Sequence, residues 1–377
     1  MSELGRVNCA ILGSRGLVAQ RYLQRTINHN WLVPVSVIGS SSTVGQKITD
    51  LPWSLDEKRP DLPDIVVKGL GDLDKLIREL KSEKVQIIFS AIPDEIAINV
   101  EKKLTKEGFV VISHALVNRM DSNIPLVIPD VNPNHLSILK SQNLGKGFLI
   151  SCSNCMVVPI ALTLSPLLSN FDFSSVKIVT EQSLSGGGRG MLSRGREGME
   201  IKSEIVGESD SVIRELNRIL GKENNGIFKN ANLNLNVTCT RVNRDYGHVA
   251  TIEIDFINDI SAHKIIEVWQ NYSSDSHDLR LPSSTKIINF IDGKLDVEEH
   301  RWAGSKSRNP HHDLCAAMAV SVGEIQVIDK KLRFKVVSDN TIRGAAGYGV
   351  LLAELLLADG ILHDSNTVLD STFQRNN

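Results

Sequence analysis

Val7-Asn8-Cys9-Ala10-Ile11-Leu12 runs directly into Gly13-Ser14-Arg15-Gly16-Leu17-Val18-Ala19, and this junction decides the fold. The first six residues are mostly apolar and read as a buried strand; the glycines read as a tight turn, and Ala19 to Ile27 has helical spacing. A second apolar run, Leu32 to Ile38, ends in Gly39-Ser40-Ser41-Ser42-Thr43. Strand, crossover and strand within about 30 residues make a parallel βαβ unit. Further along the chain, Gln86 to Ser90 reads as a buried strand, Asp94 to Glu107 as a helix, Phe109 to Ser113 as a strand, and Phe148 to Ile150 as a last short strand. The expectation is an α/β, Rossmann-type domain with a doubly wound parallel sheet.

The pattern changes past Ser151. Val176 to Thr180, Leu235 to Val242, Ala250 to Phe256, Val320 to Val327 and Leu332 to Val337 alternate polar and apolar residues. That suits an α+β catalytic and dimerisation domain with a mainly antiparallel sheet, solvated on one face. Helices fit at Val157 to Leu168, Asp210 to Leu220 and Ala262 to Asn271, and Ala345 to Ile361 has helical spacing. The expected division is residues 1–154, joined by a C-terminal helix within 341–377, for the cofactor, and residues 155–340 for the chemistry.

The 377 residues carry 42 Lys+Arg against 44 Asp+Glu. A balance so near zero gives no long-range attraction to nucleic acid or to an anionic membrane. No run approaches the ~20 apolar residues of a membrane span, and the opening residues lack a signal-peptide pattern. Five scattered cysteines do not resemble a disulfide framework. A cytoplasmic protein acting on small molecules is expected.

Glycines at a strand-to-helix turn let a pyrophosphate approach the backbone, and the helix start offers unpaired N–H groups and a positive dipole end. The expected cofactor contacts are Gly13, Ser14, Arg15, Gly16, Leu17 and Val18. NAD sites usually place an acid after the second strand. Here Ser40 and Ser41 open a hydroxyl-rich stretch suited to a 2′-phosphate, which points to NADP. An ordinary polar turn has the same appearance.

Ser151-Cys152-Ser153-Asn154-Cys155 lies between a strand and a helix. A helix N-terminus favours the thiolate, the nucleophilic form of Cys. Core packing, a redox pair of Cys152 with Cys155, and a zinc site are the competing readings, the last lacking a second ligand pair. Gln182 follows a strand and opens a loop, Ser183 to Gly188, rich in hydrogen-bond donors. Arg241 and His248 share parity with the apolar residues of their strands and face the covered side of the sheet. A covered arginine calls for an anion such as a substrate carboxylate. A histidine beside it suits acid/base work, although a lone core histidine is the ordinary alternative.

Taken together, Gly13 to Ala19, Ile128 to Pro133, Asn154-Cys155, Gln182 to Gly186, Gly247-His248 and Asn340 to Gly347 resemble the aspartate-semialdehyde dehydrogenases, particularly the archaeal and fungal branch, over nearly the whole chain. The resemblance implies NADPH-linked reduction of an acyl phosphate to an aldehyde in a homodimer or homotetramer. It also implies roles: Cys155 as thioester nucleophile, His248 as general acid/base and Gln182 as the group orienting the acyl carbon. Arg241 corresponds to the substrate-carboxylate arginine, Glu208 to the ammonium-binding glutamate and Arg119 to the phosphate-binding arginine. Asn154 adjoins the substrate, while Asn340 and the Ser185-Gly186-Gly187 loop fall near the nicotinamide.

The chain also departs from that family. A second phosphate cation is expected three residues after Glu208, where Ser211 stands; Arg189 is a candidate replacement. The segment His300-Arg301-Trp302-Ala303-Gly304 resembles related acyl-CoA reductases such as archaeal malonyl-CoA reductase, which take a CoA thioester. Phosphate and CoA therefore both stand as partners of the reaction. A dinucleotide-binding protein without catalysis is a third reading, disfavoured by Cys155, Gln182, Arg241 and His248 occurring together.

Overall fold

The computed structural model describes residues 6–224 and 227–362. Its first part runs β1 (Val7–Leu12), α1 (Leu17–Thr26), β2 (Leu32–Gly39), β3 (Lys68–Gly69), α2 (Leu73–Ser82), β4 (Val85–Ser90), α3 (Asp94–Lys106), β5 (Val110–Ser113) and β6 (Phe148–Ser151). These strands form one sheet in the order β3-β2-β1-β4-β5-β6, and their pairings are parallel. The order reverses between β1 and β4, so the glycine turn after β1 opens at the switch point where such sheets bind ligands. Helix α2 is not foreseen by the sequence reading. The Asp72 carboxylate caps the Lys75 N–H at 2.9 Å, and Leu76, Ile77 and Leu80 bury one stripe.

The second part comprises α4 (Val157–Leu168), β7 (Phe173–Gln182), α5 (Gly188–Arg196), α6 (Glu208–Ile219), a hairpin of β8 (Lys222–Asn224) and β9 (Ile227–Lys229), then β10 (Leu235–Arg241) and β11 (His248–Phe256). It continues with α7 (Ala262–Gln270), α8 (Asp275–Asp278), β12 (Ile288–Phe290), α9 (Val297–His300), β13 (Val320–Ile328) and β14 (Lys331–Ser338). The larger sheet is ordered β10-β7-β11-β14-β13-β12. Its three central pairings are antiparallel and its two outer ones parallel. On β7 the burial alternates: Val176, Ile178, Thr180 and Gln182 turn inward while Lys177, Val179 and Glu181 face out. Gln182 thus lies on the covered face, at the strand's end.

Two helices differ from the sequence reading. The loop read over Ser183 to Gly188 passes at Gly188 into a helix that the sequence reading does not include, because three glycines in nine residues depress helix propensity. Tertiary packing prevails: Leu192 is buried in a cluster with Leu17, Leu55, Leu184 and Tyr246. The last helix, α10 (Gly347–Ala358), follows a wider turn over Ile342–Ala346. It is buried nearly all round, which accounts for its lack of a polar stripe. It returns to α1 and the turn after it: buried Glu354 meets His29 at 2.9 Å, and Arg21 of α1 donates to Thr341 Oγ1, ahead of α10, at 2.9 Å. The remainder of the expected C-terminal segment, 363–377, lies outside the described residues. Among the described residues no helix is long and apolar enough to cross a membrane.

Two of the motif stretches prove to hold each other. Asp130, from Ile128 to Pro133, pairs with Arg343, from Asn340 to Gly347, and both are buried. Asp339 accepts the backbone N–H groups of Thr341 and Ile342 at 2.9 Å each and pairs with Arg301 at 2.6 Å. The segment around Arg301 is therefore an anchor for this turn.

Candidate active site

Cys155 lies in the turn between β6 and α4, and its Sγ is 3.2 Å from His248 Nε2. Two sheets deliver this contact. The first ends at Ser151 and hands the chain to the nucleophile turn, while the second presents His248 as the first residue of β11. The Asn154 side chain stiffens the turn, its Oδ1 accepting the Met156 N–H at 2.8 Å and its Nδ2 donating to Glu208 Oε1 at 2.8 Å. Gln182 donates to the same Glu208 oxygen at 3.1 Å. Arg241 is the register partner of Gln182 across β10 and β7. It donates to the Ser183 carbonyl at 2.7 Å, and among the described residues no carboxylate pairs with it. Its remaining donors fit it for an incoming anion.

Gly186 permits this crowding. A Cβ there would fall 2.8 Å from Arg241 Nη1 and 2.8 to 2.9 Å from the His248 ring. Ser183, Ser185 and Asn340 form a buried polar cluster behind the histidine: Asn340 donates to Ser185 Oγ at 3.0 Å, and its Oδ1 accepts from Ser183 Oγ at 3.1 Å. Gly187 precedes α5, and Arg189 is exposed in that helix.

Burial and then Glu208 push the Cys155 thiol up to about 12, while Arg119 and Arg241 pull it back. Burial, Arg241 and Arg244 bring His248 down to about 3. Burial thus works against the charged form of both groups. Cys152 is fully buried, and burial pushes its thiol to about 12. All five cysteines are free.

Arg119 is placed beside the site, but part of its guanidinium is already engaged. Nη1 meets Glu215 Oε1 at 2.9 Å, and Nη2 donates to the His114 carbonyl at 3.0 Å. Glu215 was missed by sequence reading. Its Oε2 also accepts the Asn154 backbone N–H at 2.7 Å, and Ser211 donates to its Oε1 at 3.0 Å. Glu208, Ser211 and Glu215 share one face of α6, a spacing of three then four residues that was available in the sequence.

The other end of the site is the glycine turn. Gly13 has φ +117°, a conformation that favours glycine. The α1 N-terminus at Gly16 has no side-chain cap and no acid in its first turn, so its N–H groups remain available to a phosphate. Arg15 Nη2 donates to Ser42 Oγ at 2.8 Å, and Ser40 and Ser42 hydroxyls lie 2.9 Å apart. Ser14 Oγ lies 3.0 Å from Thr43 Oγ1. Arg15 thus brings a cation across the turn to the hydroxyls after β2. Ser41 is exposed; Ser42, omitted from the expected set, is the residue that Arg15 reaches. The Leu17 side chain is spent in packing with Leu55 and Leu184, and Val18 is partly buried against the core.

Residues 8–139 match the model for the semialdehyde dehydrogenase NAD-binding domain. Aspartate-semialdehyde dehydrogenase of Saccharomyces cerevisiae is 30% identical over 385 residues, covering 95% of this chain and 100% of that protein. The chain belongs to the aspartate-semialdehyde dehydrogenase family. Membership makes it an oxidoreductase with a dinucleotide-binding domain, as the glycine turn implied. Another relative, malonyl CoA reductase (NADP) of Metallosphaera sedula, is also 30% identical, covering 94% of this chain and 98% of that one. Among solved structures, Candida albicans aspartate semialdehyde dehydrogenase with NADP superposes with a TM-score of 0.76 at 27% identity, covering 94% and 99% of the two chains.

Proposed function

We propose that the chain catalyses NADPH-dependent reduction of L-aspartyl 4-phosphate to L-aspartate 4-semialdehyde with release of phosphate, in aspartate-family amino-acid biosynthesis. The observation that carries this reading is the 3.2 Å contact of Cys155 with His248 between two opposite charges, Glu208 and Arg241. An α-amino acid carries an ammonium and a carboxylate, and these two side chains suit them. The solved relative with NADP and the family model support the cofactor.

In this reading the Cys155 thiolate attacks the acyl carbon, and the leaving group departs to give a thioester. Gln182 orients the acyl group, and His248, 3.2 Å from the thiol, is the general acid/base that moves protons at the reacting centre. Arg241 holds the substrate carboxylate, and Glu208 with Asn154 receives its ammonium. Gly13 to Val18, Ser40 and Ser41 hold the dinucleotide's phosphates and ribose, with Arg15 and Ser42 adding a cation and a hydroxyl for a 2′-phosphate. Ser185, Gly186, Gly187 and Asn340 line the nicotinamide end. The dinucleotide, when bound, would supply a hydride to the thioester carbon, after which the C–S bond breaks to release the aldehyde and return Cys155 as thiolate. Residues 1–154 with the C-terminal helix serve the cofactor, and 155–340 the chemistry. The protein works in the cytoplasm, consistent with its free cysteines, as a homodimer or homotetramer built on the second sheet.

A specific observation favours a second reading, reduction of an acyl-CoA. Ser211 stands where the family's second phosphate cation is expected, and Arg119 is paired with Glu215. That leaves a weaker site for free phosphate. NADPH consumption with aspartyl phosphate and with malonyl-CoA separates the two, the reverse reaction being run with and without phosphate. Phosphate-dependent NADP reduction with aspartate semialdehyde supports the first reading. CoA dependence without a phosphate response supports the second, and no turnover with any substrate overturns both.

A further inference from the structure

The segment His300-Arg301-Trp302-Ala303-Gly304 carries none of the roles above, and its arginine is almost wholly covered, the Arg301 side chain being 7% exposed. The guanidinium carbon lies 5.4 Å from the Tyr246 ring centre and 4.5 Å from that of Trp302, both rings being buried. Nη1 meets Asp339 Oδ2 at 2.6 Å, and Nε meets Glu298 Oε2 at 3.2 Å. Asp339 is fully buried, and its Oδ1 accepts the Thr341 hydroxyl at 2.8 Å besides the N–H groups of Thr341 and Ile342. Asn340 stands between the carboxylate and those donors, so the turn that Asp339 holds sets where its side chain points. We propose that Arg301 is a positioning residue for the cofactor: through Asp339 and Tyr246 it holds Asn340 and the Ser185 loop in place for the nicotinamide, and it touches neither the acyl group nor CoA.

The inference rests on the reading that Asn340 and the Ser185-Gly186-Gly187 loop line the nicotinamide end. Two contacts of Arg301 converge there. One runs through Asp339 to Asn340. The other runs through Tyr246, in the turn between β10 and β11. In that turn the Arg244 and Asp245 carbonyls accept the N–H groups of Leu184 and Ser185 at 2.7 and 3.0 Å. The Tyr246 ring belongs to the cluster of Leu184 and of Leu17, the first residue of α1. Gly247 comes next, with φ +84°, and a Cβ there would fall 2.6 Å from Val297 Cγ1 and 3.3 Å from Arg301 Cδ. The Arg301 stem is thus pressed against the residue whose backbone N–H donates to Asn340 Oδ1 at 3.0 Å. A planar guanidinium stacks on rings while its N–H groups keep fixed directions toward two carboxylates, and a lysine ammonium has no such plane. Without the guanidinium, Asp339 is a buried charge that has lost its ion pair, and the cost falls on the turn it holds.

The test measures cofactor binding to the full-length protein and needs no acyl donor. Its probes are NADPH and adenosine 2′,5′-bisphosphate, the half of NADPH that lacks the nicotinamide. Two variants are compared with the parent: Arg301→Lys, and Arg301→Met combined with Asp339→Asn. The double change removes both charges together and keeps an amide oxygen for the N–H groups of the turn. Each should raise the Kd for NADPH about tenfold and leave the Kd for the bisphosphate unchanged. Equal losses for both probes mean that Arg301 only supports the fold, and overturn the inference, as does unchanged binding of both. A raised KM for malonyl-CoA with an unchanged Kd for NADPH also overturns it and returns the segment to the substrate. Asn340→Ala separates the inference from the reading beneath it, and should show the same selective loss of NADPH. Unchanged NADPH binding in Asn340→Ala removes that residue from the nicotinamide end and takes the inference with it. A selective loss in Asn340→Ala without one in the Arg301 variants overturns the inference alone.

Discussion

Glu215 holds Arg119 and the nucleophile's own turn with one carboxylate, Oε1 lying 2.9 Å from Arg119 Nη1 and Oε2 2.7 Å from the Asn154 N–H. The helix α6, the segment after β5 and the turn before α4 therefore meet at one buried side chain that is 1% exposed. Glu215→Gln keeps the shape and removes the charge, leaving Arg119 covered without its counter-ion. The expected loss is about 3 kcal/mol of stability, read from the urea midpoint, together with a lower kcat because the Asn154 turn loosens. An unchanged midpoint means that the pair is not a structural hub.

At the dinucleotide end, Arg15 is the only cation seen bonded to the hydroxyl cluster after β2 among the described residues. Arg15→Ala should raise KM for NADPH about tenfold, the equivalent of about 1.4 kcal/mol, and leave KM for NADH nearly unchanged. Equal effects on both cofactors would place Arg15 away from the 2′-phosphate.

Gly186→Ala inserts a methyl group 2.8 Å from both Arg241 and the His248 ring. The backbone is not strained at this position, so the protein should fold with an unchanged thermal midpoint, and kcat should drop by about 10² as the reacting groups are displaced. Retained activity would show that Arg241 swings clear.

The stability of the protein should depend on pH through His248. Burial, then Arg241 and Arg244, hold its folded-state value near 3 against an ordinary 6.5. Unfolding therefore takes up a proton between those limits. The contribution is fully present above pH 6.5 and is lost as pH falls toward 3, at up to about 1.4 kcal/mol per pH unit. Urea titrations from pH 7 to 4 should show this slope, flattened in His248→Gln. Cys155 acts in the opposite direction. With its thiol raised from 9.0 to about 12, its contribution is present below pH 9 and fades as pH rises toward 12.

Much of this site is legible in the sequence, because its residues sit at the ends of strands that alternation and apolar runs locate. Val7 to Leu12, the glycine turn and Leu32 to Gly39 give the first sheet locally. Parity along β10 and β11 turns Arg241 and His248 toward the covered face, with His248 fully buried. What remains hidden is long-range or backbone-borne. The Arg119–Glu215 pair joins residues 96 apart. One Ser183 contact with His248 is made by a peptide N–H, which every residue type except proline possesses, so its side chain does not announce it. Helix α5 is hidden for another reason, since its glycines oppose a helix until Leu192 finds its pocket. Resemblance supplied roles for Glu208 and Arg119 that spacing alone did not, and the Ser211–Glu215–Arg119 contacts leave phosphate and CoA as competing leaving groups.

A covalent thioester on Cys155 is read from the mass of the acyl-enzyme. Protein mixed with acyl donor in the absence of NADPH and quenched in acid should gain one acyl group, mapped to the peptide bearing Cys155. Adding NADPH before the quench should remove that mass and release aldehyde. An acyl group on Cys152, or full turnover by Cys155→Ala without any adduct, would rule out Cys155 as the nucleophile.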